Sequence, residues 1–163
     1  WDVSTEEARA IQQRLVSEVG ETPLPDTVET VAGIDVSIRD DMAQAAVVVL
    51  RLPDLEVVEE AIHRCEVPFP YVPGLLPALE QLSVAPDVLM TDSHGRAHPR
   101  RFGFACHLGV LLDRPTLGVA KSILVGEPQG PLGTEKGSAT PLVEEGETVV
   151  AVLRTRTLSR ADA

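Results

Sequence analysis

The sequence predicts an α/β fold: a central mixed sheet of five strands, an antiparallel meander followed by parallel strands, with helices on its faces. Three observations predict it. Between Val31 and Val67 three strand-like runs are separated by the turn segments Arg39-Asp40-Asp41 and Leu52-Pro53-Asp54, which is the pattern of a meander. From Asp87 to Gly126 the chain reads as a short strand, a Ser-His-Gly turn, an arginine-rich loop, a helix and a second strand, a β-turn-α-β unit. The composition, 44% hydrophobic but only 3% aromatic over 163 residues, suits an aliphatic core and one domain spanning residues 1–163. The strand order third, second, first, fourth, fifth sets the first and fourth side by side and keeps the crossovers right-handed.

Taken in order, Ser4-Thr5-Glu6-Glu7 matches a capping box, and Ala8, Ile11, Leu15 and Val19 recur at helical spacing until Gly20 stops the helix. This is a packing helix. Val31 to Ser37 is the first strand, with Ala32, Ile34 and Val36 on one face and Gly33, Asp35 and Ser37 on the other. Aspartate is depleted in strands, so Asp35 is a candidate for chemistry. Ala43 to Leu50 and Leu55 to Val67 complete the meander, with Asp54, Glu56, Glu59 and Glu60 read as a solvated face. Three prolines stiffen the segment Pro68 to Gly74, which presents Tyr71, the one tyrosine. Such a loop is either a rigid wedge for nucleic acid or a plain linker with Tyr71 on the core. A helix from Leu75 to Leu82 buries Leu75, Leu79 and Leu82, with Glu80 at the border of that stripe. The fourth strand, Val88 to Thr91, ends in Asp92, and Lys121 stands at the end of the fifth. Beyond it, Glu127 to Gly137 reads as a mobile loop, Pro141 to Glu147 as a turn and Thr148 to Thr155 as a final strand.

A formal net charge of −11 argues against bulk affinity for nucleic acid, which cations supply. Within the central unit the balance reverses: Arg96, Arg100, Arg101, Arg114 and Lys121 stand with His94 and His98 against Asp87, Asp92 and Asp113. That island predicts a specific anion site. Cys65 and Cys106 lie in apolar surroundings and read as reduced thiols in a cytoplasmic setting. No apolar run reaches membrane-spanning length, and no secretory leader is present, so no membrane partner is expected.

With the first and fourth strands adjacent, Asp35, Asp92 and Glu80 converge. Three carboxylates raise one another's pKa and are stable together mainly around divalent cations. Hard oxygen ligands point to Mg²⁺ or Mn²⁺, and the Cys and His spacings do not suit zinc. Such a centre performs phosphoryl chemistry, to which Lys121 adds positive charge and His98 a proton relay or a phosphate contact.

The segments G-I-D-V-S, P-Y-V-P-G-L-L-P-A-L-E, T-D-S-H-G-R-A-H-P-R-R-F-G-F-A-C-H-L-G-V and P-T-L-G-V-A-K-S closely resemble endonuclease V, a deoxyinosine-directed repair nuclease with a ribonuclease H-like fold. The resemblance spans Trp1 to about Arg156. It implies that Asp35, Glu80 and Asp92 are metal-binding carboxylates, that Lys121 is an active-site lysine, and that His98 is the histidine following the second aspartate. It further implies that Pro70-Tyr71-Val72-Pro73 is a strand-separating wedge, with Gly95 and Arg100 beside the substrate. Implied activity is Mg²⁺-dependent hydrolysis of the second phosphodiester bond 3′ to deoxyinosine in DNA. The alternatives are an inosine-specific endoribonuclease and a shortened relative that binds nucleic acid without cutting. Two positions depart from the family pattern: D-G-H-G is Asp92-Ser93-His94-Gly95 here, and A-S-H-L-G is Ala105-Cys106-His107-Leu108-Gly109. The family pattern also continues past the R-T-R strand into an S-P-G-H segment and a closing helix, which L-S-R-A-D-A does not carry. The expectation is therefore an incomplete metal shell and one sheet face left for a partner chain or a dimer contact, in either a monomer or a dimer.

Overall fold

A computed structural model describes residues 3–21, 23–40, 42–66 and 75–155. Helix α1 (Thr5–Leu15) opens on the predicted capping box: Glu7 N–H donates to Ser4 Oγ at 3.2 Å, and Ser4 N–H donates to Glu7 Oε2 at 2.8 Å. It ends earlier than the periodicity predicts, giving way to a 3-10 turn at Val16–Glu18. Its buried residue is Gln12, while Ile11 and Leu15 are only partly covered. The helix is thus anchored through a polar side chain.

Strands β1 (Thr30–Arg39), β2 (Met42–Arg51) and β3 (Glu56–Glu66) form the meander, followed by α2 (Leu76–Glu80), β4 (Val88–Thr91), α3 (Phe104–Leu112) and β5 (Thr116–Gly118). Sheet order is β3-β2-β1-β4-β5, with β1–β2 and β2–β3 antiparallel and β1–β4 and β4–β5 parallel. The predicted order holds. Ala32 and Ile34 of β1, Ala45, Val47 and Val49 of β2 and Leu89 of β4 face inward, where Leu75 at the start of α2, Ala78 within it and Leu108 of α3 cover them. This core is aliphatic, and each fully buried Val or Leu contributes about 1.5–3 kcal/mol. On the opposite face Ile62, Met90 and Leu117 are exposed.

Beyond β5 the expectation of loop, turn and single strand is corrected. Strands β6 (Glu127–Pro128), β7 (Ala139–Glu144) and β8 (Glu147–Leu153) form a second, antiparallel sheet in the order β6-β7-β8. The turn is only Glu145-Gly146, with φ of 54° and 83°, the two consecutive positive angles of a tight hairpin between twisted strands. Thr140 and Leu142 point inward while Pro141 is exposed, one residue before the register shift between Leu142 and Val143 that suits a residue unable to donate to a ladder. A small cluster of Ala97, Leu142 and Val149 joins this sheet to the loop after β4.

The acidic face of β3 also needs correction. Glu59 is no spectator: its carboxylate accepts from Ser83 N–H and Val84 N–H, each at 3.0 Å, and closes the turn after α2. Those backbone donors hold its pKa below the ordinary value.

Candidate active site at the carboxyl edge of the sheet

The parallel pairing of β1 with β4 sets Ile34 opposite Thr91. Asp35 follows the first and Asp92 the second, so the two aspartates stand side by side, at the carboxyl end of β4 and midway along β1. Asp92 N–H donates to Ile34 O at 3.5 Å, extending the ladder by one rung. Asp35 and Asp92 are among the residues lining a groove of about 190 Å³, together with Ile34, Val36, Ile38, Thr91, Ser93 and Phe104. Crevices at this edge are where open α/β sheets bind ligands.

The third corner is a cation. Lys121 Nζ donates to Asp92 Oδ2, and its pKa is held above the ordinary value first by that hydrogen bond, then by the charges of Asp92 and Asp35. Its position follows from the end of β5, where Val119 N–H donates to Thr91 O at 2.9 Å. Gly118 is needed there: a Cβ on it would lie 2.7 Å from Ser93 O and 2.9 Å from Gly95 N. Gly103, before α3, is equally constrained, since a Cβ would lie 2.3 Å from His94 O. These two close approaches seat the loop after β4 on α3 and β5. His94 Nε2 lies 2.9 Å from Ser122 O and ties the loop to the segment that carries Lys121.

Glu80 stands at the end of the helix before β4. It is the last residue of a short α2, is exposed, and does not line the cavity. Among the described residues no three of His, Cys, Asp and Glu are arranged to hold a cation together. Asp35 and Asp92 stand on neighbouring strands, and Glu80 stands at the end of α2.

Three arginines of the basic island have partners within the chain. Arg96 pairs with Glu21 and Glu147, and Arg101 reaches Glu147 Oε2 at 3.3 Å and Glu144 O at 3.5 Å. Arg100 Nε donates to Gln12 Oε1 at 2.6 Å. These arginines fasten the loop to the second sheet and to α1. His98 accepts from Arg100 N–H at Nδ1, at 3.2 Å, and its pKa is lowered by burial first and then by the charges of Arg100 and His94. Gly95 O accepts from Gly103 N–H at 2.9 Å, a structural tie. Pro70, Tyr71, Val72 and Pro73 lie outside the described residues. Cys65 and Cys106 are free thiols, and burial raises the pKa of Cys106. No helix among the described residues is long and apolar enough to cross a membrane.

Sequence reasoning missed Gln12, Glu147 and Ser93. The first two act across long sequence separations; the third was signalled by its departure from the resembled D-G-H-G pattern.

Comparison with known proteins is consistent with this geometry. A sequence model described as Endonuclease V matches residues 12–161. Endonuclease V of Roseiflexus sp. (strain RS-1) is 48% identical over 165 residues, covering 96% of this chain and 74% of the relative. A crystal structure of endonuclease V from Streptomyces avermitilis superposes with a TM-score of 0.87 at 40% identity, covering 96% and 74% of the two chains. That of Ciona intestinalis endonuclease V, in complex with DNA containing an inosine followed by a ribo-adenosine, matches at a TM-score of 0.66 and 24% identity, covering 97% and 85%, and shows the same fold.

Proposed function

Because the chain belongs to the endonuclease V family, whose members hydrolyse phosphodiester bonds with the help of metal ions, we propose that it nicks DNA at the second phosphodiester bond 3′ to deoxyinosine. The observation that carries this reading is the Asp35–Asp92 pair on neighbouring parallel strands, lining one cavity beside Lys121. The donor set fits a hard divalent cation: two carboxylates offer charged oxygens and no soft ligand stands with them. We assign Mg²⁺ to Asp35 and Asp92, with Mn²⁺ able to substitute. Glu80 takes an outer place in the set on the strength of its P-A-L-E motif. When bound, such a cation activates water and neutralises charge at the scissile phosphate.

The chain's own groups have separate tasks. Lys121, fully charged at neutral pH, places its ammonium where negative charge builds on the phosphate. His98 is neutral near pH 7, and because Nδ1 accepts from the backbone its proton sits on Nε2, available to a phosphate oxygen. Pro70 to Pro73 with Tyr71 opens the duplex at the lesion, and Gly95 and Arg100 line the substrate path. Inosine enters this proposal because the Ciona relative was crystallised on it. The reading is of one domain, 1–163, working in the cytoplasm.

The test uses end-labelled strands carrying a single deoxyinosine, a single inosine ribonucleotide or neither, incubated with the protein and Mg²⁺. A nick one nucleotide beyond the lesion's 3′ neighbouring bond, on the deoxyinosine strand and not on the unmodified one, is the expected result. Faster cutting of the ribonucleotide strand would make the protein an endoribonuclease. Equal cutting of all three would remove the lesion from the proposal.

A further inference from the structure

Lys121 lies three residues beyond the end of β5, in a stretch, residues 119–124, that is exposed throughout. Its side chain is itself exposed, so packing does not fix the ammonium. A lysine stem is flexible, and keeping its charge in one place requires a fixed backbone beneath it. Two hydrogen bonds supply that backbone. On one side of Lys121, Val119 N–H donates to Thr91 O at 2.9 Å. On the other, Ser122 O stands 2.9 Å from His94 Nε2. The contact of Lys121 Nζ with Asp92 Oδ2 lies between them. Residues 91, 92 and 94 thus meet residues 119, 121 and 122 in order, and the segment that carries the carboxylate also carries both anchors of the cation.

The two anchors differ in kind. The first runs from main chain to main chain and is open to most residue types. The second is made by a side chain and has a fixed sense: a carbonyl only accepts, so His94 Nε2 carries the proton. A proton committed to Ser122 O is not offered to a phosphate, which sets the task of His94 apart from that of His98. The ring also has a rigid base. His94 O accepts from Ala105 N–H at 3.1 Å, at the start of α3, and lies so close to Gly103 that a Cβ there would come within 2.3 Å. The imidazole therefore passes the placement of α3 on to the segment that holds Lys121.

We propose that His94 is a positioning residue for Lys121: its Nε2–H holds Ser122 O and through that bond sets the ammonium against Asp92. The kinetic side of this rests on the reading of Lys121 as a positive charge at the scissile phosphate; the geometric side does not, and the experiment keeps them apart. The chain has two lysines, Lys121 and Lys136, so protein labelled with ¹⁵N-lysine gives two side-chain ammonium signals, and Lys121→Met identifies the relevant one. That signal should move in Asp92→Asn, which removes the charge of its partner. His94→Asn, whose amide falls short of the Nε2 position, is expected to move it toward the Asp92→Asn position. His94→Gln, whose amide nitrogen reaches as far as Nε2, is expected to leave it in place. On the deoxyinosine strand with Mg²⁺, His94→Asn should lower kcat about ten-fold with KM unchanged, and His94→Gln should restore it to within about two-fold. In a Lys121→Met background His94→Asn should cost nothing further, because a positioning residue has no effect once the group it positions is gone.

A Lys121 signal unmoved by Asp92→Asn or by His94→Asn would overturn the proposal. Equal movement in His94→Asn and His94→Gln would do the same, since the ring would then fill space and not donate. A loss of kcat that persists in the Lys121→Met background would put His94 on a route that bypasses Lys121, which also overturns it. A wild-type protein that leaves the deoxyinosine strand uncut would remove the nuclease reading, while the lysine signals still decide the tether. If His94→Asn loses its cooperative melting transition, the tautomer of wild-type His94 decides, read from imidazole ¹⁵N spectra at mildly alkaline pH and assigned by loss of the signal in His94→Gln. A proton on Nε2 supports the bond, and a bare Nε2 overturns it.

Discussion

Strands β1 and β4 run side by side, and their two ends use aspartate in opposite ways. At the amino end Asp87 accepts from Glu29 N–H and Thr30 N–H, each at 2.9 Å, and from Thr30 Oγ1 at 3.0 Å. Thr30 Oγ1 in turn accepts from Asp87 N–H at 3.1 Å, so the two strand starts are locked together. Where β4 ends, Asp92 stands beside Asp35 of β1, and Lys121, with a side chain 85% exposed, pairs with Asp92. A carboxylate surrounded by fixed donors stabilises the fold; one facing a cavity beside another carboxylate costs stability and is available to a ligand. The same pair of strands thus separates the work of holding together from the work of binding.

Substitution at the two ends should divide along that line. Asp35→Asn and Asp92→Asn are expected to lower the rate of deoxyinosine-strand cleavage by about a thousand-fold or more each. The melting temperature should stay level or rise, because like charges are no longer held together. Cleavage at wild-type rates by either variant would take that residue out of the mechanism. Asp87→Ala should do the reverse, costing about 1–2 kcal/mol of unfolding free energy in urea titration, a figure reduced for partial solvent exposure, with cleavage rate per folded molecule unchanged. The contribution also has a pH signature. Asp87's pKa is lowered from 3.8, first by the Thr30 N–H and then by the Glu29 N–H, so its stabilisation is present above that value and is lost as pH falls through the lower folded one. Acid titration of stability should therefore be shallower in the variant, and an identical acid limb would break the contrast between the ends.

Much of this contrast was legible in the residues themselves. Asp35 stood out as a charge in an apolar strand, Asp92 as a charge at a strand's end, and a strand order with right-handed crossovers allowed β1 and β4 to be neighbours. Local patterns carry that kind of information. They do not carry pairings across long separations: Arg96 finds Glu147 51 residues away, and Arg100 finds Gln12 88 residues away. An arginine cluster looks the same in a sequence whether it awaits a phosphate or is already matched by carboxylates. The second sheet was hidden for a different reason. Pro141 and the acidic residues around Glu144 resemble a turn, and only the alternation of Thr140 and Leu142 beside the Glu145-Gly146 hairpin betrays a strand. Glu80 shows the limit on the other side, since a motif names its residue without fixing where the end of a short helix will leave it.

The smallest expected effect lies on the helix that supports the cavity wall. His107 of α3 is buried against Phe102, with ring centroids 5.3 Å apart, and burial lowers its pKa from 6.5. A histidine kept neutral by the fold is protonated more readily in the unfolded chain, so its stabilisation is complete above about pH 6.5 and is lost as pH falls from there toward the folded value. The slope is limited to about 1.4 kcal/mol per pH unit for one group, and His98, shifted in the same direction, shares the window. His107→Gln is therefore expected to flatten the dependence of urea midpoint on pH below 6.5 without moving the acid limb that belongs to Asp87. Loss of slope in both windows at once would mean that α3 and the amino-end clamp unfold as a single unit, and that the two ends of the β1–β4 pair are less independent than their hydrogen bonding implies.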